Sequence, residues 1–383
     1  MIVCTLLIII FQFLNAIFLN NDIFDNYNKN QKFKRETSTY TSNIWPEKEI
    51  PYFVHPYLSY NLIRVALLRI SKETCLRFEP KLHINESLFI YLPGKYYETN
   101  LGRGREIPHR IFVPQYLQDI GKVIRETMRA LGIEYEHNRQ DRNNFIKVYT
   151  YNIKNEYLKY FKIEHKNINI TYNTDYDFRS IMHFSSHEYA KTWLLNVIYP
   201  KFNFMLSSLG VSKHLTFNDG RKLNDKYCKY KHIPYPNCLN YGYQHPTTPI
   251  RCKCLSFLTG ERCENFLPNP TSCTQNFMYQ AINAPRKTIL RVGGKCFFIL
   301  KANEGKVIRL RLNFYKNLRT PKICTEENSV EIIDLKYKSS GGFLYCPRPS
   351  RLFFTSSSNI IILLTSFREP DIKIKIEYFE FHK

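Results

Sequence analysis

The stretch GKVIRETMRALGIEYEHNRQDR, residues 121–142, decides how the rest of the chain is read. From Leu117 onward the apolar positions 117, 120, 124, 128 and 131 recur at steps of three and four, so the segment predicts an amphipathic helix that Gly132 stops. Arg125 and Arg129 stand one turn apart on one face of that helix, with Glu126 beside them.

Upstream, EIPYFV (49–54) reads as a strand after a Trp45-Pro46 turn, and NLIRVALLRISKE (61–73) has apolar residues at helical spacing before Cys75. SLFIYLPG is a further strand ended by Pro93 and Gly94. Together with the helix these elements predict an α+β unit that runs to about Cys228. Between Cys228 and Cys263 the texture changes to short Pro- and Gly-containing sequence with close cysteines, too poor in apolar residues to fold without disulfides. Beyond Cys273, VIRLRLNFY, NIIILLTSF and DIKIKIEYF are alternating or continuously apolar strands, the pattern of a β-sandwich of about a hundred residues.

Residues 1–18 carry no charged side chain and give way to polar sequence, which reads as a secretory signal peptide with cleavage near Ala16; an uncleaved signal anchor is the alternative. No later segment reads as a membrane span. Of eleven cysteines, Cys4 lies in the signal and ten remain, an even number that fits an oxidising compartment. Asn85 and Asn169 open sequons for N-glycosylation. Residues 19–35 end in KFKR, a basic cluster suited to cleavage after Arg35. The net charge of +22 comes from lysines and arginines spread along the whole chain, so a dedicated nucleic-acid or other polyanion surface is not expected.

With these segments in place, the chain resembles the secreted astacin-family zinc metallopeptidases with EGF-like and CUB domains behind the peptidase domain. IWPEKEIPYFV resembles the start of the family's mature domain, EYEHNRQDRNNFI continues its helix, YDFRSIMHFSS is similar to its Met-turn, and LTFNDGRKLNDKYC to its closing segment. The resemblance implies an α+β, two-lobed metzincin-like domain over residues 36–228 after a pro-segment (19–35). An EGF-like module (229–266) and a CUB-like, all-β domain (270–383) would follow.

Carried over residue by residue, the family's three zinc histidines fall on Arg125, Arg129 and Tyr135. Its catalytic glutamate falls on Glu126, its turn glycine on Gly132, its Met-turn methionine on Met182, and the tyrosine that follows on Phe184. A guanidinium has five donors and no lone pair to give a metal, and a tyrosine ligates only as phenolate. Glu126 without an activated water has nothing to deprotonate, so it is expected to pair along the helix with Arg129 at i+3 or Lys122 at i−4. His137, His165, His183 and His187 are candidates for a displaced metal site, and hydrogen-bonded structural histidines are the commoner explanation of each.

The family pattern also implies the pairs Cys75–Cys228, Cys238–Cys252, Cys254–Cys263, Cys273–Cys296 and Cys324–Cys346, with one family disulfide lost at positions matching Tyr97 and Leu117. Glu136 would anchor the N-terminus freed by cleavage after Arg35, and Asp22 would meet Arg125 or Arg129 in the uncleaved chain. The expectation is a secreted, extracellular homologue without catalytic zinc or any other cofactor. It would act by binding peptide or protein partners or by competing with active relatives, with matrix or carbohydrate as a further partner of the CUB-like domain and no nucleic-acid partner. The alternative is an active zinc-dependent metalloendopeptidase with substitute ligands.

Overall fold

The computed structural model describes residues 44–163, 174–230, 233–315, 319–321, 324–334 and 339–382. The signal peptide, the pro-segment with Asp22 and Arg35, His165 and the sequon at Asn169 lie outside the described residues. The described chain divides into two compact units, one ending at Lys229 and including residues 339–344, the other beginning at Tyr230 and resuming at Tyr345.

In the first unit, strands β1 (Glu49–Val54), β2 (Arg77–Pro80), β3 (Phe89–Gly94), β4 (Glu98–Thr99) and β5 (His109–Pro114) form one sheet in the order β2-β1-β3-β5-β4. All pairings are parallel except β4 with β5. Helix α1 (Tyr60–Glu73) is capped by Ser59, whose hydroxyl accepts from the Leu62 amide at 3.3 Å, and it buries Ile63, Ala66, Leu67 and Ile70. It packs against α2 (Ile120–Ala130). Helix α3 (Phe217–Tyr227) opens with a capping box between Thr216 and Asp219. Trp45 is 1% exposed, donates its indole N–H to the Ala130 carbonyl at 2.8 Å, and meets Phe89 edge-on at 5.2 Å.

Helix α2 begins three residues later than its apolar spacing predicts. Asp119 is the N-cap, its carboxylate accepting from the Lys122 amide at 3.1 Å. Leu117 takes a positive φ of 54° and is 98% exposed, outside the helix. A local cap therefore overrides the periodicity at this end. The Asp119 amide in turn donates to the Tyr97 hydroxyl at 2.5 Å, so a hydrogen bond ties together the segments that hold Tyr97 and Leu117. At the other end Gly132 adopts φ +80°, and the Ile133 amide returns to the Met128 carbonyl at 3.0 Å, which reverses the chain.

In the second unit, the described residues from 233 to 266 form two small antiparallel ribbons, Tyr243–Gln244 with Cys252–Lys253 and Leu258–Thr259 with Asn265–Phe266. The remainder is all-β. Strands Arg286–Arg291, Lys373–His382, Lys306–Phe314 and Leu352–Thr355 lie side by side in that order, every neighbour antiparallel. A second sheet contains Met278–Gln280, Phe297–Lys301, Ile360–Thr365 and Val330–Asp334 in that order. The apolar stretches of these strands are fully buried, as at Phe298, Ile299, Leu310, Leu312, Ile361, Ile362, Ile374 and Ile376.

Disulfides join Cys75 to Cys228, Cys238 to Cys252, Cys254 to Cys263, Cys273 to Cys296 and Cys324 to Cys346. No helix among the described residues is long and apolar enough to cross a membrane.

Candidate functional site

The site is built on α2 and on the chain that Gly132 turns back beside it. Arg125 is 3% exposed and Glu126 is fully buried, although both are charged. A buried guanidinium must find carboxylate partners, and Arg125 finds two. Its Nη1 and Nη2 donate to the two oxygens of Glu188 at 3.0 and 2.7 Å, and its Nε to Glu126 at 3.3 Å. The guanidinium also lies over the Phe184 ring, 4.6 Å from the centroid. Arg129 turns the other way. It pairs with Glu134, donates from Nε to the Thr99 carbonyl at 3.3 Å, and lies 4.3 Å over the Tyr135 ring.

The expected helix-face partners of Glu126 are therefore replaced. Arg129 is taken by Glu134, and Lys122 lies 3.4 Å from Glu188. Glu126 is left with the neighbouring Arg125 and with the Tyr135 hydroxyl, which sits 3.3 Å from both of its oxygens. The reason is burial, which draws each guanidinium to a carboxylate from outside the helix, Glu188 for Arg125 and Glu134 for Arg129.

Electrostatics follow from this pairing. Burial pushes the Glu126 carboxyl up, with Arg125 and then Arg129 pulling against it. Burial also pushes up the Tyr135 hydroxyl, and the Glu126 charge adds to it, so Tyr135 stands as a neutral phenol. For Glu188 burial acts the same way, yet the Arg125 charge and hydrogen bonds overcome it and hold the carboxyl down at about 2.

Met182 and Phe184 are fully buried beneath this cluster, with Phe184 4.7 Å from Tyr135 and 4.2 Å from His137. The His183 Nδ1 faces the Phe184 carbonyl at 2.7 Å and must donate there, so its Nε2 accepts from the Tyr176 hydroxyl at 2.7 Å. Burial lowers the pKa of His183 to about 4. His137 is fixed similarly between the Tyr160 carbonyl at 3.1 Å and the Phe184 amide at 3.4 Å. His187 lies outside this core and meets the Leu195 carbonyl at 3.2 Å.

Glu136 lies at the far side of the same turn. Its oxygens are taken by Lys222, by Arg139 at 3.0 Å and by the Asp177 amide at 2.9 Å. Burial raises its pKa and is outweighed first by Lys222 and then by Arg139, which leaves it at about 2. Next to it Asp177 and Asp219 form a buried carboxyl pair. Ser180 Oγ donates to Asp219 at 2.5 Å and Thr216 Oγ1 to Asp177 at 2.7 Å, and burial together with the Asp219 charge pushes Asp177 up to about 7.

A cavity of about 690 Å³ opens in front of Glu188, lined among others by Tyr96, Tyr157, Tyr189, Trp193, Lys95 and Lys154. Tyr157 and Tyr189 stack at 4.2 Å and 20°, and Tyr96 meets Tyr157 edge-on at 5.3 Å. Trp193 is 83% exposed. Such a cleft offers flat aromatic surface and cationic tips to a bound segment.

Residues 37–228 match the family model for Astacin, a peptidase family. The chain belongs to that family. Among curated relatives, the zinc metalloproteinase nas-34 of Caenorhabditis elegans is 23% identical over 352 residues, covering 90% of this chain and 57% of the relative. The zinc metalloproteinase dpy-31 of Brugia malayi is 26% identical over 337 residues, covering 82% and 54%. The chain thus spans little more than half the length of these relatives. Among solved structures, the high choriolytic enzyme 1 of Oryzias latipes, a hatching enzyme zinc-protease, is 22% identical. It covers 48% of this chain and 94% of its own, with a TM-score of 0.42.

An astacin-family domain raises the question whether this cluster fits zinc. Two of its central side chains are guanidinium groups, which have no lone pair to donate, and the third is a phenol that its surroundings keep neutral. Among the described residues no group of three or more His, Cys, Asp or Glu side chains could hold a metal ion. The residues at this position do not fit zinc.

The sequence reading singled out Arg125, Glu126, Arg129, Tyr135, Met182 and Phe184; the structure brings Arg125, Glu126, Arg129, Tyr135 and Phe184 into one cluster, and the buried Met182 accepts from the Glu136 amide through its carbonyl at 3.1 Å. It missed Glu188, Glu134 and Tyr189. The available signal was arithmetic: two arginines on a buried helix face need more carboxylate than Glu126 alone supplies. Asn85 is exposed in a short 3-10 turn (Ile84–Glu86), away from these residues in the sequence.

Proposed function

We propose that the chain is an astacin-family homologue without peptidase activity that binds a peptide or protein segment in the cleft beside α2. Arg125, Arg129 and Tyr135 stand at the positions of the family's three zinc histidines, with Glu126 at its glutamate and Phe184 at its Met-turn tyrosine. The observation that carries this reading is the two-point pair between Arg125 and Glu188, because it puts a cation of the protein's own, already neutralised, at a ligand position. Arg125 also puts Nε on Glu126, so the one carboxylate retained from the family's catalytic set is engaged in a salt bridge and a tyrosine hydrogen bond. Catalysis through a metal-bound water needs three lone-pair ligands and a free general base, and this cluster supplies neither.

What remains is the cleft with its tyrosines, Trp193 and lysines. Binding needs no metal, and aromatic side chains give large contact area at low entropic cost. A folded homologue that retains this surface can hold a segment that active relatives also recognise. In this reading the chain enters the secretory route through residues 1–18, is glycosylated at Asn85 and Asn169, and continues after residue 228 into EGF-like (229–266) and CUB-like (270–383) modules.

Metal analysis of the purified full chain, with a protein-substrate digestion run with and without chelator, tests the proposal. The expected result is substoichiometric zinc and no chelator-sensitive cleavage. One zinc per chain together with cleavage that a chelator abolishes would establish the active endopeptidase instead.

A further inference from the structure

The sequence distributes its 55 lysines and arginines along the whole chain, which argues against a focused polyanion surface. Strand register in the second unit reverses that argument. Pairing sets Lys287 opposite Glu377, Ile289 opposite Lys375 and Arg291 opposite Lys373. On the other side of the same strand, Arg309 stands opposite Phe379, Arg311 opposite Glu377 and Asn313 opposite Lys375. Residues opposite one another across a ladder share a face, so all of these project to one side. The alternate residues Leu290, Ile374, Ile376, Leu310 and Leu312 are buried, which makes the first side the outer one.

Six cations, Lys287, Arg291, Arg309, Arg311, Lys373 and Lys375, therefore share an outer sheet face on which these strands place a single carboxylate, Glu377. Arg311 pairs with Glu377 at 2.8 Å, and Lys287 approaches it at 3.8 Å. Arg309 lies over the Phe381 ring at 4.5 Å and Arg311 over Phe353 at 5.6 Å, so both guanidinium groups rest against aromatic side chains of the sheet. Arg309, Lys373 and Lys375 have no ion-pair partner among the described residues.

Positions on this face are spaced about 4.8 Å between strands and about 6.7 Å along them, and the six cations are distributed over three of its strands. Cations repeated across neighbouring strands suit a partner whose anionic groups also repeat. Five disulfides fit an oxidising compartment, away from the anionic cytoplasmic leaflet and from nucleic acid. The repeating polyanion of that environment is a sulfated polysaccharide. We propose that this sheet face binds one, with sulfate groups over these lysines and arginines. The site is separate from the cleft beside α2 and stands or falls independently of the function proposed for it.

The test uses the full chain on immobilised heparin at physiological salt. The face variant R309E/K373E/K375E is compared with K147E/K191E/K229E, which makes the same charge change at exposed lysines of the other unit. The face variant should lose about ten-fold or more in affinity, with a shallower salt dependence, while the control keeps wild-type binding. Equal losses in both variants would reduce the effect to net charge and overturn the proposal. So would undiminished wild-type binding to desulfated heparin, or binding to phosphatidylserine vesicles without binding to heparin. The neutral variant R309Q/K373Q/K375Q, with a melting curve matching wild type, guards against misfolding and should show the same loss in smaller measure.

Discussion

Arg125 on α2 and Glu188, sixty-three residues later, form a two-point ion pair in which both side chains are nearly excluded from solvent. The pair ties the helix to the segment after Met182 and Phe184. A single desolvated charge on either side would be far more costly than the pair is stabilising, so the two residues function as a unit.

Removing one partner should therefore expose that cost. Glu188→Gln leaves Arg125 buried without its main counterion and is expected to destabilise the chain by about 3–5 kcal/mol in urea unfolding. The double replacement R125M/E188L removes both charges and should recover most of the loss. Additive losses in the double variant would mean that the two side chains are not coupled.

Stability should also depend on pH in two opposite ways. Glu188 and Glu136 are held at about 2 in the fold, below the ordinary carboxyl value of about 4.3, so the unfolded chain takes up their protons first as pH falls. Their contribution is complete above about pH 5 and disappears as pH drops toward about 2. Asp177 is shifted the other way, to about 7, so the fold retains a proton that the unfolded chain releases near about 4. Its effect is a decline in stability as pH rises from about 4 to about 7. Urea midpoints measured from about pH 2 to about pH 8 should rise and then fall, and Asp177→Asn should flatten only the upper limb.

The alignment of the helix with the family's metal ligands can be tested by restoring them. R125H/R129H/Y135H, combined with E188Q to avoid a stranded carboxylate, should bind cobalt(II) with visible d–d absorption that the wild-type chain lacks. Absence of those bands in a folded variant would show that the three positions do not converge on one ion.

The two tryptophans give a direct readout of the cleft. Trp45 is 1% exposed and Trp193 83% exposed, so iodide quenching reports mainly on Trp193. A peptide that occupies the cavity should shield Trp193 and reduce quenching, whereas Trp193→Phe should abolish the change. Binding that leaves quenching untouched would place the peptide elsewhere.

Much of this was legible in the sequence because it rests on local rules. The spacing 120, 124, 128 marks the helix, Gly132 its reversal, and alternating IKIKIEYF the last strand of the second unit. Other features depend on what meets across the fold. Asp119 shortens the helix that periodicity starts at Leu117, because its cap competes with the apolar pattern. The partner of Arg125 is invisible in a linear reading, since nothing near it in sequence marks Glu188. The charged sheet face was missed for the same reason: Arg291 and Lys373 are far apart in the chain and stand opposite one another only through register.

The pair between Lys222 and Glu136 has a consequence for when the domain is finished. By resemblance to the family, this glutamate waits for an amine that a cut upstream sets free. Here the ammonium is supplied from α3, by a side chain that arrives with the fold. In the folded chain the Glu136 charge is therefore already balanced by Lys222, before any cleavage after Arg35 is considered.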